Sequence, residues 1–212
     1  MAVTLTTPNT LVGTLQPKSD AAKLLTNIVL VVLGALILTA SAKFKIPVLP
    51  VPITLQTLAV AMIAAGAGWR IGVATVALYL VEGLAGLPVF ANGGGLAYVM
   101  SPTFGFLVGY LPMAWIIGRA ADRGAAGNVA LFFAVMLVGD AVAFTFGFGW
   151  LYAVANSIVS SGAELPKWLQ GDNLMATAFN GAVKPFILWD ALKMAFAAMT
   201  VSGLWVAFKK RT

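Results

Sequence analysis

Long apolar runs with almost no charge are the feature that most restricts how this chain can fold. Residues 24–42 carry no charged side chain, and residues 185–208 carry only Asp190 and Lys193. About 20 apolar residues are the length that a helix needs to cross the hydrocarbon core of a bilayer. Hydrophobic residues make up 60% of the chain and charged residues only 9%, against about 25% charged in a soluble domain. We therefore predict an all-α integral membrane protein.

Six transmembrane helices are predicted from the charge-free runs, and together they form one membrane domain over residues 24–208. The predicted spans are 24–42, 52–69, 71–82, 102–118, one within 128–160 and one within 185–208. The run 128–160 is also long enough for two helices broken near Gly147 or Gly149, which would give seven spans.

The two ends of the chain are predicted to lie in the cytoplasm. Residues 1–23 are Thr-rich and polar and lack the pattern of a signal peptide, so we expect a mostly disordered cytoplasmic tail. Residues 209–212 form a short basic cytoplasmic tail.

Positive charge sets the predicted orientation. With six spans, eight Lys and Arg side chains lie on the cytoplasmic side and four lie outside, as the positive-inside rule requires. Seven spans would export the basic C-terminus, so six is the better count for a multi-pass protein of the cytoplasmic membrane. The net charge of +6 is then a topology signal, and no nucleic acid partner is predicted. The cytoplasmic set is Lys18, Lys23, Arg70, Arg119, Arg123, Lys209, Lys210 and Arg211, and the outer set is Lys43, Lys45, Lys167 and Lys184.

The chain contains no Cys and no His. Their absence excludes thiolate catalysis, imidazole general bases and the usual zinc or haem ligation. An intramembrane enzyme that used Asp190 as its acid or base would also lack a nucleophile placed by a motif. We predict no enzymatic activity, no metal site and no cofactor.

The segment GLAGLPVFANGGGLAYVMSP (83–102) is too rich in Gly and Pro for a regular helix and too apolar to lie in water. Irregular backbone at membrane depth persists only against protein or a water-filled cavity. We predict an irregular extracytoplasmic cap between helices 3 and 4, over the outer mouth of the bundle. The alternative is a plain hairpin loop, which would need only a few residues.

Gln56 opens the second span, directly after the proline-rich run that includes Pro47, Pro50 and Pro52. Its amide can both donate and accept hydrogen bonds, as can that of Asn92 in the predicted cap. Gln56 either joins two helices or contacts a ligand, and the pattern does not choose.

Asp190 and Lys193 are an acid and a base at i and i+3 of the sixth span, so they share one helix face. Charged groups inside a membrane face the bundle interior or water. The pair either stabilises packing alone or lines a crevice, open to the outside, for a small polar ligand. Asp140 is a second intramembrane acid, and a structural hydrogen bond to a neighbouring helix is its predicted role.

Small residues at four-residue spacing let helices approach closely. Ala35 and Thr39 form such a pair on the first span. This face either packs inside the bundle or docks another membrane protein.

Four motifs carry a family resemblance. IPVLPVPITLQTLAV (46–60), GLPVFANGGG (86–95), SPTFGFLVGY (101–110) and ILWDALK (187–193) resemble, in order, those of the BioY family, the biotin-specific S components of energy-coupling factor (ECF) transporters. One motif departs from the family, which commonly reads GPTGGY where this chain reads SPTFGF (101–106). Position 106 is therefore Phe rather than Tyr.

The resemblance implies high-affinity capture and uptake of biotin by a bundle of six helices. The binding positions that it implies are Asp190, Lys193, Asn92, Tyr98 and Gln56. The ureido group of biotin offers two N–H donors and a C=O acceptor, which a carboxylate and an ammonium can match. Phe90, Trp150 and Tyr152 are candidates for an apolar wall.

The resemblance also implies partners, a transmembrane coupling protein and a pair of cytoplasmic ATPases. The chain has no G-x-x-x-x-G-K-[ST] phosphate loop, so any use of ATP requires other subunits. Membrane lipid and a second copy of the chain are the remaining partners considered. The alternative function is a proton-coupled secondary transporter of a small polar metabolite, working through Asp190 or Asp140. Inverted sequence repeats would favour it, and none is convincing.

Overall fold

The computed structural model of the protein describes residues 9–47 and 51–209, and helices make up most of them. The helices are α1 (Leu11–Thr14), α2 (Asp20–Lys43), α3 (Gln56–Ala67), α4 (Trp69–Leu84), α5 (Phe104–Asp122), α6 (Val129–Ser160), α7 (Leu174–Ala182) and α8 (Ile187–Lys209). Short 3-10 helices cover Leu96–Met100, Ala125–Gly127 and Lys167–Leu169. A two-stranded antiparallel hairpin of β1 (Lys45–Ile46) and β2 (Ile53–Thr54) joins α2 to α3.

Each predicted span contains one helix, namely α2, α3, α4, α5, α6 or α8. Four stretches of the described residues are long and apolar enough to cross a membrane: α2, α5, α6 and Leu174–Phe208, which takes in α7 and most of α8. Helices α3 and α4 have only 12 and 16 residues, fewer than the roughly 20 that a straight crossing needs. The count of six membrane crossings therefore stays a prediction.

The run 128–160 forms one helix, without a break at Gly147 or Gly149. Helix α6 extends unbroken over 32 residues, and the Asn128 side chain caps it by accepting from the Leu131 N–H. At Gly147 a Cβ atom would lie 2.4 Å from the Phe106 ring, so this glycine allows close packing of α5 against α6. The alternative of two helices within this run is wrong.

The expectation of a mostly disordered N-terminal tail is wrong for residues 9–23. The Thr10 hydroxyl caps α1 and the Ser19 hydroxyl caps α2, each accepting from a backbone N–H three residues later. The Asn9 amide donates to the Asp122 carbonyl at 2.9 Å. The segment therefore packs against the end of α5, while residues 1–8 lie outside the described residues.

Helix α5 is central and packs against α3, α4 and α6. Glycines permit two of these contacts, because a Cβ at Gly109 would lie 2.8 Å from the Ala143 Cα and one at Gly118 would lie 2.4 Å from the Trp69 Cα. Ala35 is 1% exposed on α2. Its burial favours internal packing for the small-residue face of this helix over docking.

Candidate functional site

A narrow pocket lies where the β1–β2 hairpin, α3, α5, α6 and α8 meet. The cavity measures only about 40 Å³, far below the roughly 300–1,000 Å³ of typical small-molecule sites, so the side chains stand close together. The lining residues are Val51, Pro52, Thr54, Gln56, Thr57, Ala91, Tyr98, Thr103, Phe106, Leu107, Tyr110, Phe144, Phe186, Asp190 and Lys193.

Helix α8 brings Asp190 and Lys193 to this pocket as an ion pair. The Lys193 Nζ and the Asp190 Oδ1 are 3.1 Å apart, and the side chains are 12% and 2% exposed. The spacing of i and i+3 places both on the face that packs against α3. The pair predicted from the sequence is confirmed as a contact.

Thr57 completes the pair, although sequence reasoning did not select it. Its hydroxyl donates to the Asp190 Oδ1 and accepts from the Lys193 Nζ at 3.3 Å. The Lys193 Nζ also donates to the Thr54 carbonyl at 2.7 Å. The three N–H donors of the ammonium are thus matched by three acceptors of the protein. Only its place directly after Gln56, in the first turn of α3, could have indicated it.

Gln56 both joins two helices and lines the pocket. Its Nε2 donates to the Tyr79 hydroxyl on α4 at 3.0 Å, and its Oε1 accepts from the Thr54 hydroxyl at 3.2 Å. The Tyr79 hydroxyl in turn donates to the Val89 carbonyl. The helix–helix hydrogen bond is therefore present, and its residue also faces the cavity.

The irregular segment between α4 and α5 lies beside the pocket. Ala91 and Tyr98 reach the cavity from it. The Phe90 ring is fully buried between the Tyr79 and Tyr98 rings, with centroid distances of 5.3 and 4.7 Å.

Two lysines outside this segment hold it. The Lys43 Nζ donates to the carbonyls of Pro88 and Phe90, and the Lys45 Nζ donates to the Ala91 carbonyl. The end of α2 and strand β1 therefore anchor the middle of the segment.

The structure brings four of the eight predicted site residues to the pocket: Gln56, Tyr98, Asp190 and Lys193. The other four do not line it. Phe90 is enclosed by the two tyrosine rings, and the Asn92 Oδ1 accepts from the Lys45 Nζ at 2.7 Å. The Trp150 ring packs edge-on against Phe104, while Tyr152 is 38% exposed and stacks on Phe148.

Three other phenylalanines form the apolar wall of the pocket. Phe144 lies 5.6 Å from Phe106 and 5.8 Å from Phe186, measured between ring centroids. Phe106 is one of the three positions, with Ser101 and Phe104, at which the chain departs from the family motif. Its ring contributes an apolar surface to the pocket. The sequence pattern did not select these rings because they come from three different helices or their flanks.

Asp140 lies outside this pocket, in a wider apolar groove between α6, α7 and α8. It is 6% exposed, and its Oδ1 has no hydrogen-bond partner among residues 9–47 and 51–209. The predicted hydrogen bond to a neighbouring helix is therefore wrong. Phe144 lines both cavities and separates them.

Comparison with known proteins gives several relatives. The model of the BioY family matches residues 13–210. A probable biotin transporter BioY from Lysinibacillus sphaericus is 34% identical over 130 residues, which cover 61% of this chain and 66% of the relative. The biotin transporter BioY of Rhizobium etli is 40% identical over 115 residues, which cover 50% and 62%. In these two relatives the match spans slightly less than two thirds of their length.

Longer matches exist at lower identity. The biotin transporter BioY of Thermotoga maritima is 31% identical over 164 residues, which cover 77% of this chain and 86% of the relative. A crystal structure of the S-component for biotin from an ECF-type ABC transporter matches with a TM-score of 0.70 at 21% identity, covering 89% of this chain and 94% of the other. That likeness shows a shared fold. With nearly all of its length matched by the family model, this multi-pass membrane protein belongs to the BioY family.

Proposed function

We propose that the protein captures biotin with high affinity and takes it up across the cytoplasmic membrane as the substrate-binding component of an ECF transporter. The names of the relatives support the substrate, and the description of the solved structure with the same fold supports the class of transporter. The observation that carries the proposal is the buried Asp190–Thr57–Lys193 network in a pocket with phenylalanine walls.

The Asp190 carboxylate is the acceptor for the ureido N–H groups. Both of its hydrogen bonds within the protein use Oδ1, which leaves Oδ2 for a ligand. An ionised carboxylate is a pure acceptor and matches an N–H donor. The fused rings of biotin then lie between the aromatic side chains of Phe106, Phe144 and Phe186.

Lys193 has a different role from the one that the sequence suggested. Its three donors already reach Thr54, Thr57 and Asp190, so it has no donor left for the ureido carbonyl. It orients the Asp190 carboxylate and balances its charge at membrane depth, where an unpaired carboxylate would be costly. Loss of Lys193 therefore weakens binding through Asp190.

The irregular segment between α4 and α5 acts as the extracytoplasmic cap. Its contacts with Lys43 and Lys45 and the burial of Phe90 support this role. In a pocket as narrow as this one, the cap must move for a ligand to enter. Spin-label accessibility at position 92 should fall when biotin is added, and equal accessibility with and without biotin would exclude a moving cap.

Six membrane crossings with both ends in the cytoplasm complete the proposal. The basic side chains near the start of α2, the α3–α4 junction and the end of α5 lie at alternate helix ends, as this topology requires. Uptake then depends on a membrane-embedded coupling protein and on ATPase subunits, because the chain has no phosphate loop of its own.

Binding and uptake of radiolabelled biotin test the proposal together. Purified full-length protein in lipid nanodiscs should bind biotin, and cells should take it up faster when coupling and ATPase subunits are coexpressed. Absence of binding would overturn the proposed function. Uptake that needs no ATPase and collapses with a protonophore would instead support the proton-coupled alternative.

A further inference from the structure

We propose that Tyr110 is a further ligand-binding residue, whose hydroxyl donates to the ureido carbonyl oxygen of the bound ligand. The inference rests on the proposed function and names the group that recognises one part of the substrate. Tyr110 lies in α5, is 4% exposed, and lines the same pocket as Asp190 and Lys193.

The hydroxyl of Tyr110 is the only polar side-chain group of this pocket, among the described residues, without a hydrogen bond to the protein. The other polar side chains on its wall each have at least one partner. These are Thr54, Gln56, Thr57, Tyr98, Thr103, Asp190 and Lys193.

The Tyr110 side chain is buried, but its hydroxyl oxygen is not one of the fully enclosed polar atoms without a partner among the described residues, so it faces the open part of the pocket. An ordinary core position would be filled equally well by Phe, as at Phe106 one turn earlier on the same helix face. The unpaired hydroxyl therefore points to a partner that arrives with the ligand.

The chemistry of the missing partner follows from the donors already in use. A carbonyl oxygen that enters the pocket needs a donor, and the ammonium of Lys193 has none to spare. The phenol of Tyr110 can donate one O–H. Asp190 thus accepts from the ureido N–H groups while Tyr110 donates to the C=O, so two different helices recognise opposite sides of one ring.

The test measures the binding of two ligands to the full-length wild-type protein and to the variants Tyr110→Phe and Tyr152→Phe, all in nanodiscs. The ligands are biotin and its analogue with sulfur in place of the ureido oxygen, because sulfur is a weak hydrogen-bond acceptor. Tyr110→Phe should lower the affinity for biotin by roughly 5- to 10-fold, as expected for one lost hydrogen bond. The same substitution should change the affinity for the sulfur analogue by less than about twofold. The Tyr110 hydroxyl of the wild-type protein makes only a weak hydrogen bond to sulfur, so little binding energy is lost.

Tyr152→Phe is the matched control, because it removes the same hydroxyl from an exposed ring that the structure places off the pocket. It should leave both affinities unchanged. Biotin affinity unchanged by Tyr110→Phe, or an equal loss for both ligands, would overturn the contact. Failure of wild type to bind biotin at all would instead overturn the proposed function.

Discussion

Two carboxylates at membrane depth, Asp190 and Asp140, have opposite surroundings. Asp190 is 1% exposed and receives hydrogen bonds from Thr57 and Lys193. Asp140 is 6% exposed, lies in the apolar groove on the other side of Phe144, and has an Oδ1 without a partner among the described residues. Nearly equal burial therefore accompanies a carboxylate with two hydrogen bonds in one case and one whose Oδ1 has no partner in the other.

The difference shows that the neighbouring helix, and not depth, determines what a buried acid can do here. The first turn of α3 and the last residue of β2 supply the partners of the α8 pair. No such polar turn faces Asp140, whose groove is lined mainly by apolar side chains. A paired and hydrogen-bonded charge can be kept in a low-dielectric site, whereas an unpaired one is costly. Asp190 is therefore suited to bind a ligand as a charged acceptor.

The largest expected effect is that of Asp190→Asn on biotin affinity. The change removes a charged acceptor and leaves the Lys193 ammonium without its counter-ion, at a cost on the order of 2–5 kcal/mol. This equals roughly 30- to several-thousand-fold in the dissociation constant, measured by equilibrium binding in nanodiscs. Asp140→Asn makes the same chemical change outside the pocket and should alter affinity by less than about twofold. Equal losses for the two variants would contradict the contrast between these acids.

A smaller loss is expected for Thr57→Val, which keeps the shape of the side chain but removes the hydroxyl between Asp190 and Lys193. Hydrogen bonds to charged groups contribute about 1.5–3 kcal/mol, so biotin affinity should fall by roughly 10- to 150-fold. Thr57→Ser retains the hydroxyl and should restore most of the affinity. If the Ser and Val variants bind equally weakly, packing by the methyl group and not the hydrogen bond supports the site.

The smallest expected effect has the opposite sign and concerns stability. Asp140→Leu replaces a buried acid that lacks a partner by an apolar side chain of similar size, and should stabilise the folded protein by about 1 kcal/mol. Thermal unfolding in detergent measures this as a raised melting temperature, with biotin affinity nearly unchanged. Leu188→Ala, on an exposed apolar position of α8, serves as the comparison for a change at the lipid-facing surface. A lowered melting temperature for Asp140→Leu would mean that Asp140 has a stabilising partner after all.

Local features of the chain could be predicted from the sequence. Charge-free runs of membrane-spanning length predicted the class of protein and the places of the helices, because hydropathy is a property of consecutive residues. The spacing of Asp190 and Lys193 predicted their contact, because residues three apart share a helix face. The Gly- and Pro-rich segment was correctly predicted to interrupt the helical pattern between α4 and α5, because Gly and Pro disfavour a regular helix wherever they are concentrated.

Only the tertiary structure decided which distant residues share the pocket. Thr57 and Asp190 are 133 positions apart, and no periodicity within either helix indicates that they meet. The aromatic candidates Phe90, Trp150 and Tyr152 have the right chemistry for a pocket wall. In the folded protein, however, Phe90 packs against Tyr79, Trp150 packs against Phe104, and Tyr152 is exposed. Helix periodicity determines which side chains share a face, whereas the packing of α3 against α5 and α8 determines what that face meets.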